Sequence, residues 1–491
     1  MITAINWSRI LIAAAVFSTS CSPPPGSTAA PSGTPDYGIA PSCAKDANDA
    51  IWKGLDLAWN GHGISEIQPV IAKGLAADPN CAVAQYLSAS WNPDADSEAK
   101  QDAAVNAAAK APEIDRVFLQ TQNATRKGDT AEQLKQSRKL AELAPKSFFA
   151  QLSVSVAERQ AGRPDESLAA AKKATELGPM AGAAWNQLAY AYSFQHKDAE
   201  AAAALKKYAE VAPHEANAHD TFADTLMAAG KLDDADAEYK KAIEVSGGKF
   251  VISYNGQAGV RFAKGDWDGG RQLLGKWKDA EPDAQVKVAA DLAIAWTYVA
   301  EGKLKETLAA YDTVDRNAAA SKHLSALAES PVARAEALYE LGKLDDAAKA
   351  LDAAGKVDES NTPASAQRNL RMRRAVLAVE VAAKNGRTAD AAKALAAVDT
   401  EAMSDPSNVS LQDMARVAHG EAALAKKDAK AAVAALKDCQ KQSAYCQWRL
   451  SVAEDAAGDP KGARATRDTI MNSAFRDVMY AFARAKASAT K

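Results

Sequence analysis

The 491 residues carry a formal net charge of −3, with 47% apolar but only 6% aromatic side chains. The length exceeds the roughly 250–300 residues at which one hydrophobic core stops growing, so several domains or a repeat array are expected. A mildly acidic chain without a block of Lys and Arg is excluded as a nucleic-acid binder, because neutralising phosphates needs clustered cations.

At the start, Met1 to Arg9 carries a single charged side chain. Ile10 to Phe17 is then apolar, and it is far shorter than the ~20 residues of a spanning helix. Ser18-Thr19-Ser20 supplies a small-x-small pattern before Cys21. Residues 1–20 therefore read as a secretory signal. Residues 21–42 hold Pro23, Pro24, Pro25, Pro31, Pro35 and Pro41 among Gly, Ser, Thr and Ala, a composition that buries no core and behaves as an extended spacer. Cys21 resembles the acylated cysteine of bacterial lipoproteins, although Ser18 stands where that family usually has leucine. The resemblance implies membrane attachment through an N-terminal lipid, on the periplasmic side of the envelope as an outer-membrane lipoprotein. Without acylation the chain would be soluble in the periplasm.

Beyond the spacer, alanine-rich runs such as Ala199 to Ala204 and Ala389 to Ala397 favour helix over strand. Proline recurs at Pro79, Pro112, Pro145, Pro179 and Pro213, spaced by 33 or 34 residues. Between these run Gly128, Gly162, His196 and Gly230, each 34 apart, and then Gly265. Each unit reads as helix, glycine turn, helix, proline break, since glycine accepts the left-handed turn and proline stops the second helix. In the unit from Gly182 to Pro213, Trp185, Leu188, Ala189 and Tyr192 share one face, and Ala201, Leu205 and Tyr208 face them. The next unit repeats this with Phe222, Ala223, Leu226, Ala235, Tyr239 and Ala242.

These positions resemble the tetratricopeptide repeat. The resemblance implies an all-α fold, a right-handed superhelical α-solenoid whose concave groove is lined by the first helix of each hairpin. It covers residues 43–315 well. From 316 to 491, turns at Gly342, Gly386, Lys427-Asp428 and Gly458 are more widely spaced, and longer or degenerate hairpins closed by a final helix from about Ser473 to Ala487 are expected.

Four cysteines follow Cys21, and an even number in an exported chain suggests disulfides. Cys43 opens the first hairpin and Cys81 the second, so parallel equivalent helices allow them to approach. Cys439 and Cys446 could bridge only around a helix–turn–helix corner, because seven residues of helix rise about 10.5 Å. Connectivity stays open. Neither C-x-x-C nor C-x-H spacing occurs, so no metal is expected, and no cofactor motif is present.

Carrying the family's groove positions onto this chain gives Leu152, Val156 and Arg159, then Asn186, Tyr190 and Phe194, then Asp220, Asp224 and Met227, and finally Asn255, Gly259 and Phe262. Amides suit an extended backbone and aromatics supply contact area, so a protein or peptide partner is expected. The positions where chaperone adaptors carry a carboxylate clamp are Leu152, Asn186 and Asp220, without lysine. Asp220 and Asp224 point to a neutral or basic peptide.

No catalytic constellation emerges. His214 and His219 are five apart, not the four that would put both on one helix face. Asp233-Asp234 and Asp345-Asp346 follow turn glycines, where negative charge favours a helix start. The expectation is a non-enzymatic scaffold that binds a partner in the cell envelope. The alternatives are a helical-toroid enzyme acting on envelope glycans and a purely structural, self-associating spacer.

Overall fold

The computed structural model describes residues 37–489, apart from 60–61, 63, 92–95, 196, 282–283, 359–361, 363, 407 and 441–442. The expected signal segment, Cys21, most of the spacer and the turn residue His196 lie outside the described residues. Among those described there are 25 α-helices and no strand. They follow one another as twelve helix–turn–helix pairs, from Lys45–Trp59 with Ile64–Ala77 to Ala444–Ala456 with Pro460–Met471, before a terminal helix, Val478–Ala489.

The turns explain the hairpins. Gly128, Gly162, Gly230, Gly265, Gly302, Gly342, Gly386 and Gly458 all have φ between 69° and 80°, and Lys427 takes the same left-handed conformation at 59°. At Gly128 the amide donates to Thr125 and the next amide, of Asp129, donates to the Ala124 carbonyl, closing the first helix. The residue after the turn then opens the second helix. Asp129, Asp266, Asp428 and Asp459 each accept a bond from the backbone amide three residues on, at 2.9–3.0 Å. Asp233-Asp234 and Asp345-Asp346 lie in the first turns of Leu232–Val245 and Leu344–Ala354. The wider turn spacing beyond Gly302 reflects longer first helices. Gly182–Phe194 has 13 residues, whereas Leu324–Glu340 has 17 and Ala364–Lys384 has 21.

Packing follows the aromatic–small pattern. Ala201, Leu205 and Tyr208 are buried, as are Ala235, Tyr239 and Ala242. The Tyr208 ring covers Gly182 and the Tyr239 ring covers Gly256, so closely that an added Cβ would lie 2.6 and 2.4 Å from ring atoms. First helices of successive hairpins also pack on one another, as Phe148–Gln160 does on Gly182–Phe194 and Ala364–Lys384 on Val409–Ala425. The face they form is the inner face.

The chain divides into two compact units. The N-terminal unit comprises described residues up to 225 with 240–250, and the C-terminal unit comprises 226–239 with 251–489. Residue 316, where the sequence pattern loosens, lies inside the helix Leu304–Ala320, so the change in repeat length is not a break between bodies. Cys43 is bonded to Cys81 across 38 residues, with Cα atoms 5.3 Å apart, and ties the starts of the first two hairpins. Cys439 is bonded to Cys446 around the corner into Ala444–Ala456, with Cα atoms 5.7 Å apart. His62 sits between Glu66 and Glu215, 3.0 Å from each. Burial opposes its charge, but the two carboxylates outweigh it and raise its pKa to about 9.

The ring-on-glycine contact gives a paired test. Gly256→Ala should cost about 1–3 kcal/mol through overpacking against Tyr239. Gly275→Ala, in the helix Trp267–Ala280 with nothing within 4 Å of the new methyl, should instead gain about 0.5–1 kcal/mol. Urea unfolding of both variants checks the difference in sign.

Candidate functional site

On the N-terminal unit, the ends of three first helices bring aromatic side chains around one cleft of about 70 Å³. Trp59 closes the helix Lys45–Trp59, Trp91 caps Ala82–Ser90, and Phe149 begins Phe148–Gln160. Trp59 meets Phe149 edge-on at 6.2 Å, and Tyr86 completes the wall. Gln101, Gln133, Ser137 and Ser153 line the remainder. The Ser137 hydroxyl is buried and makes no hydrogen bond. Burial pushes the Tyr86 phenol up to about 12, with the Arg126 charge pulling against it. Arg126 itself is held by Asp102 at 2.5 Å and by Asn123. The space admits a few waters or one side chain.

Further along this face come the groove positions read from the sequence. Leu152 and Val156 are buried, and Val156 borders the cleft. Arg159 is half-buried, with its guanidinium 5.9 Å from the centre of the Tyr190 ring. Its Nε is buried without a hydrogen bond, and so is the Asn186 Oδ1. Burial pulls the Arg159 pKa down. Tyr190 bonds Thr221, and burial followed by the Asp224 charge raises its phenol to about 12. Phe194 is 41% exposed. Asp220 is buried, and both Asp220 and Asp224 interact within the chain. Arg159, Asn186, Tyr190 and Phe194 thus gather on adjacent helices, while Asp220 contributes to the interior.

The groove positions on the C-terminal unit must be corrected. Met227 and Phe262 are 1% and 4% exposed and cannot meet a partner as they stand. Phe262 stacks on Trp267 at 5.2 Å. Met227 lies beneath Tyr239, whose hydroxyl is 3.7 Å from its sulfur. The final helix starts at Val478, later than expected, because residues 472–477 cross this face as extended chain. The Ala474 amide donates to the Met227 carbonyl at 3.1 Å, and the Arg476 backbone passes where a side chain at Gly259 would project. Phe482 of the terminal helix then meets Trp296 at 5.9 Å and Trp448 at 6.1 Å. Asn255 stays half-exposed. The chain's own tail therefore fills the inner face of this unit.

A charged network missed in the sequence lies on the same face. Tyr445 Oη is 2.7 Å from Glu340 and 2.8 Å from Glu380. A phenol has one proton to donate, so both contacts are satisfied only if one carboxyl is protonated. Burial lifts Glu380 to about 8, with the Arg449 charge pulling against it and those of Glu421 and Glu340 adding to it. Burial also raises Glu340. Arg449 meets Glu421 at 2.8 Å and the Tyr339 hydroxyl at 3.1 Å. Arg373 is held by Glu329 and Glu336, at 2.7 Å each.

No family model matches the chain, and no curated protein matches it. Among solved structures, it is similar to a tetratricopeptide repeat protein from Parabacteroides merdae, at 14% identity over 53% of this chain and 98% of that one, with a TM-score of 0.39. It is also similar to PilF of Pseudomonas aeruginosa, at 13% identity over 41% and 90% with a TM-score of 0.33. A third is a TPR protein of Thermus thermophilus, at 20% identity over 30% and 85% with a TM-score of 0.28. In this chain, left-handed turns spaced by 34 residues or a multiple from Gly128 to Gly230 join antiparallel helices, and aromatic rings pack on small residues. The repeat is of the tetratricopeptide type.

The shared proton makes the tetratricopeptide-type stack of the C-terminal unit sensitive to pH. Glu380 titrates in the ordinary carboxyl range when unfolded and near 8 when folded. The folded state holds the extra proton, so its contribution is full at low pH and is lost as pH rises towards 8. Glu380→Gln, which keeps a donor for Tyr445 at every pH, should flatten that part of the stability profile. Chemical unfolding from pH 5 to 9 reads the slope.

Proposed function

We propose that this protein is an exported, lipid-tethered tetratricopeptide-type scaffold, without enzymatic activity, that binds a segment of a partner protein on the inner face of its N-terminal unit. The carrying observation is the set of buried polar atoms without hydrogen bonds at Ser137, Arg159 and Asn186, on a face that also holds an open aromatic cleft. A buried polar atom left unpaired costs about 1–3 kcal/mol, a cost that a ligand with matching groups relieves. Aromatic side chains with interspersed amides suit a peptide segment, giving contact area from Trp59 and Phe194 and backbone bonds from the glutamines.

A glycosidase needs two carboxyl groups flanking its bond, and no Asp or Glu is among the described residues lining this cleft. The envelope location rests on the sequence: the short apolar stretch before Cys21 and the proline-rich spacer after it support a domain held away from a membrane. The two disulfides fit an oxidising compartment.

Intact mass of protein extracted from membranes tests the address. A chain starting at Cys21 with a lipid-sized adduct, gaining four hydrogens on reduction, is expected. An unmodified soluble chain would remove the tether. For the site, Phe194→Ala and Trp59→Ala should each weaken capture of the envelope partner by about tenfold while circular dichroism is unchanged. Undiminished capture by both variants would sink the site assignment.

A further inference from the structure

Buried arginines in this protein come with acceptors. Arg126 has Asp102 at 2.5 Å, and Arg271 has Glu301 at 2.5 Å. In the C-terminal unit Arg373 and Arg449 have the carboxylates described above, and Arg484, without one, donates to the carbonyls of Ile470 and Ser473 at 3.2 and 2.6 Å. Arg159 differs. Among the described residues no carboxylate pairs with it, and its guanidinium rests over the Tyr190 ring; its buried Nε lacks a hydrogen bond, as that of Arg449 does, but Arg449 has Glu421 beside it. Glu158, next to it in sequence, is turned to Arg138. Asp220 and Asp224, which the sequence suggested would favour a basic ligand, are engaged within the chain.

A guanidinium removed from water without a counter-charge is costly unless something supplies one. One turn from Tyr190 on the neighbouring first helix, Asn186 is 7% exposed, and its Oδ1 lacks a donor. The two vacancies are complementary: Arg159 wants an acceptor and Asn186 wants an N–H. A fully ionised phosphate ester would satisfy only the first, because it brings acceptors alone. A polypeptide with an acidic side chain brings both.

We infer that Arg159 receives the carboxylate side chain of an Asp or Glu in the bound segment, while Asn186 accepts a backbone N–H of the same segment. The inference rests on the protein-binding reading and names its partner as acidic at this point. The Tyr190 ring under the guanidinium holds the fork in place. Because the charge is uncompensated in the free protein, Arg159 serves binding at the expense of stability.

The test uses the full chain with its disulfides formed and a phage-displayed library of random peptides fused to the coat protein, which leaves no free chain end. Selected binders should be enriched in Asp and Glu. Arg159→Met should weaken them by about tenfold or more, and Arg159→Lys by less, because a single ammonium cannot form the bidentate fork. Free Arg159→Met protein should melt at the same temperature as the parent or higher. Binders without acidic enrichment, or acidic binders indifferent to Arg159→Met, overturn the inference and leave peptide binding standing. A clearly lower melting temperature would also overturn it, by giving Arg159 a structural task. A library that yields no binder removes the protein-binding reading and this inference with it.

Discussion

Tyr208 packed on Gly182 sets how close the two helices of one hairpin can come, and Tyr239 packed on Gly256 sets how close one hairpin can come to the next. A single hairpin cannot bury its own apolar stripe, so each depends on its neighbours for a core. The glycine removes the side chain that would hold the helices apart, and the ring fills the space released. Successive first helices touch, and those helices carry most of the inner-face residues discussed above. Larger side chains at the glycines would open the stack and separate the polar groups that the inner face gathers.

The two units resolve the same inner face differently. In the C-terminal unit, residues 472–489 return across the first helices, and Phe482 fills the space between Trp296 and Trp448. Charges there are mutually engaged, Arg449 with Glu421 and Arg373 with two glutamates. The N-terminal unit has an aromatic cleft instead of a tail, and its buried Ser137, Arg159 and Asn186 atoms lack partners. A native interior tolerates few such groups. Buried atoms without a hydrogen bond also occur in the C-terminal unit, at Trp296, Glu421 and Arg449, but there the charged groups have each other, whereas no carboxylate among the described residues pairs with Arg159.

Much of the architecture was legible in the sequence because it is local. A left-handed turn needs glycine or a tolerated substitute within one residue, so the positions from Gly128 to Gly458, with Lys427 in the gap, could be read directly. The four cysteines sit at helix starts and corners, which made both pairings possible from spacing. The groove was read less well. Its assignment assumed a bare concave wall, and the tail that buries Met227 and Phe262 comes from more than 200 residues away, a return that no repeat pattern encodes. Glu336, Glu380 and Glu421 each stand six residues before a turn residue, a signal that was present. The setting that Glu380 and Glu421 share with Arg449, and the pairing of Glu336 with Arg373, appear only when the first helices stack. Trp59 and Trp91 likewise become one cleft only when separate helix ends meet.

The account turns on one contrast, an inner face closed by the chain's own tail in the C-terminal unit and an open one in the N-terminal unit. Hydrogen exchange of the free protein, followed by peptide mass spectrometry, tests the closed half directly. Amides of residues 478–489 should exchange as slowly as those of Ala284–Ala300, the helix they cover, because both would open only with the unit. Rapid exchange across 478–489 while Ala284–Ala300 stays protected would contradict the account, since the second inner face would then be open too.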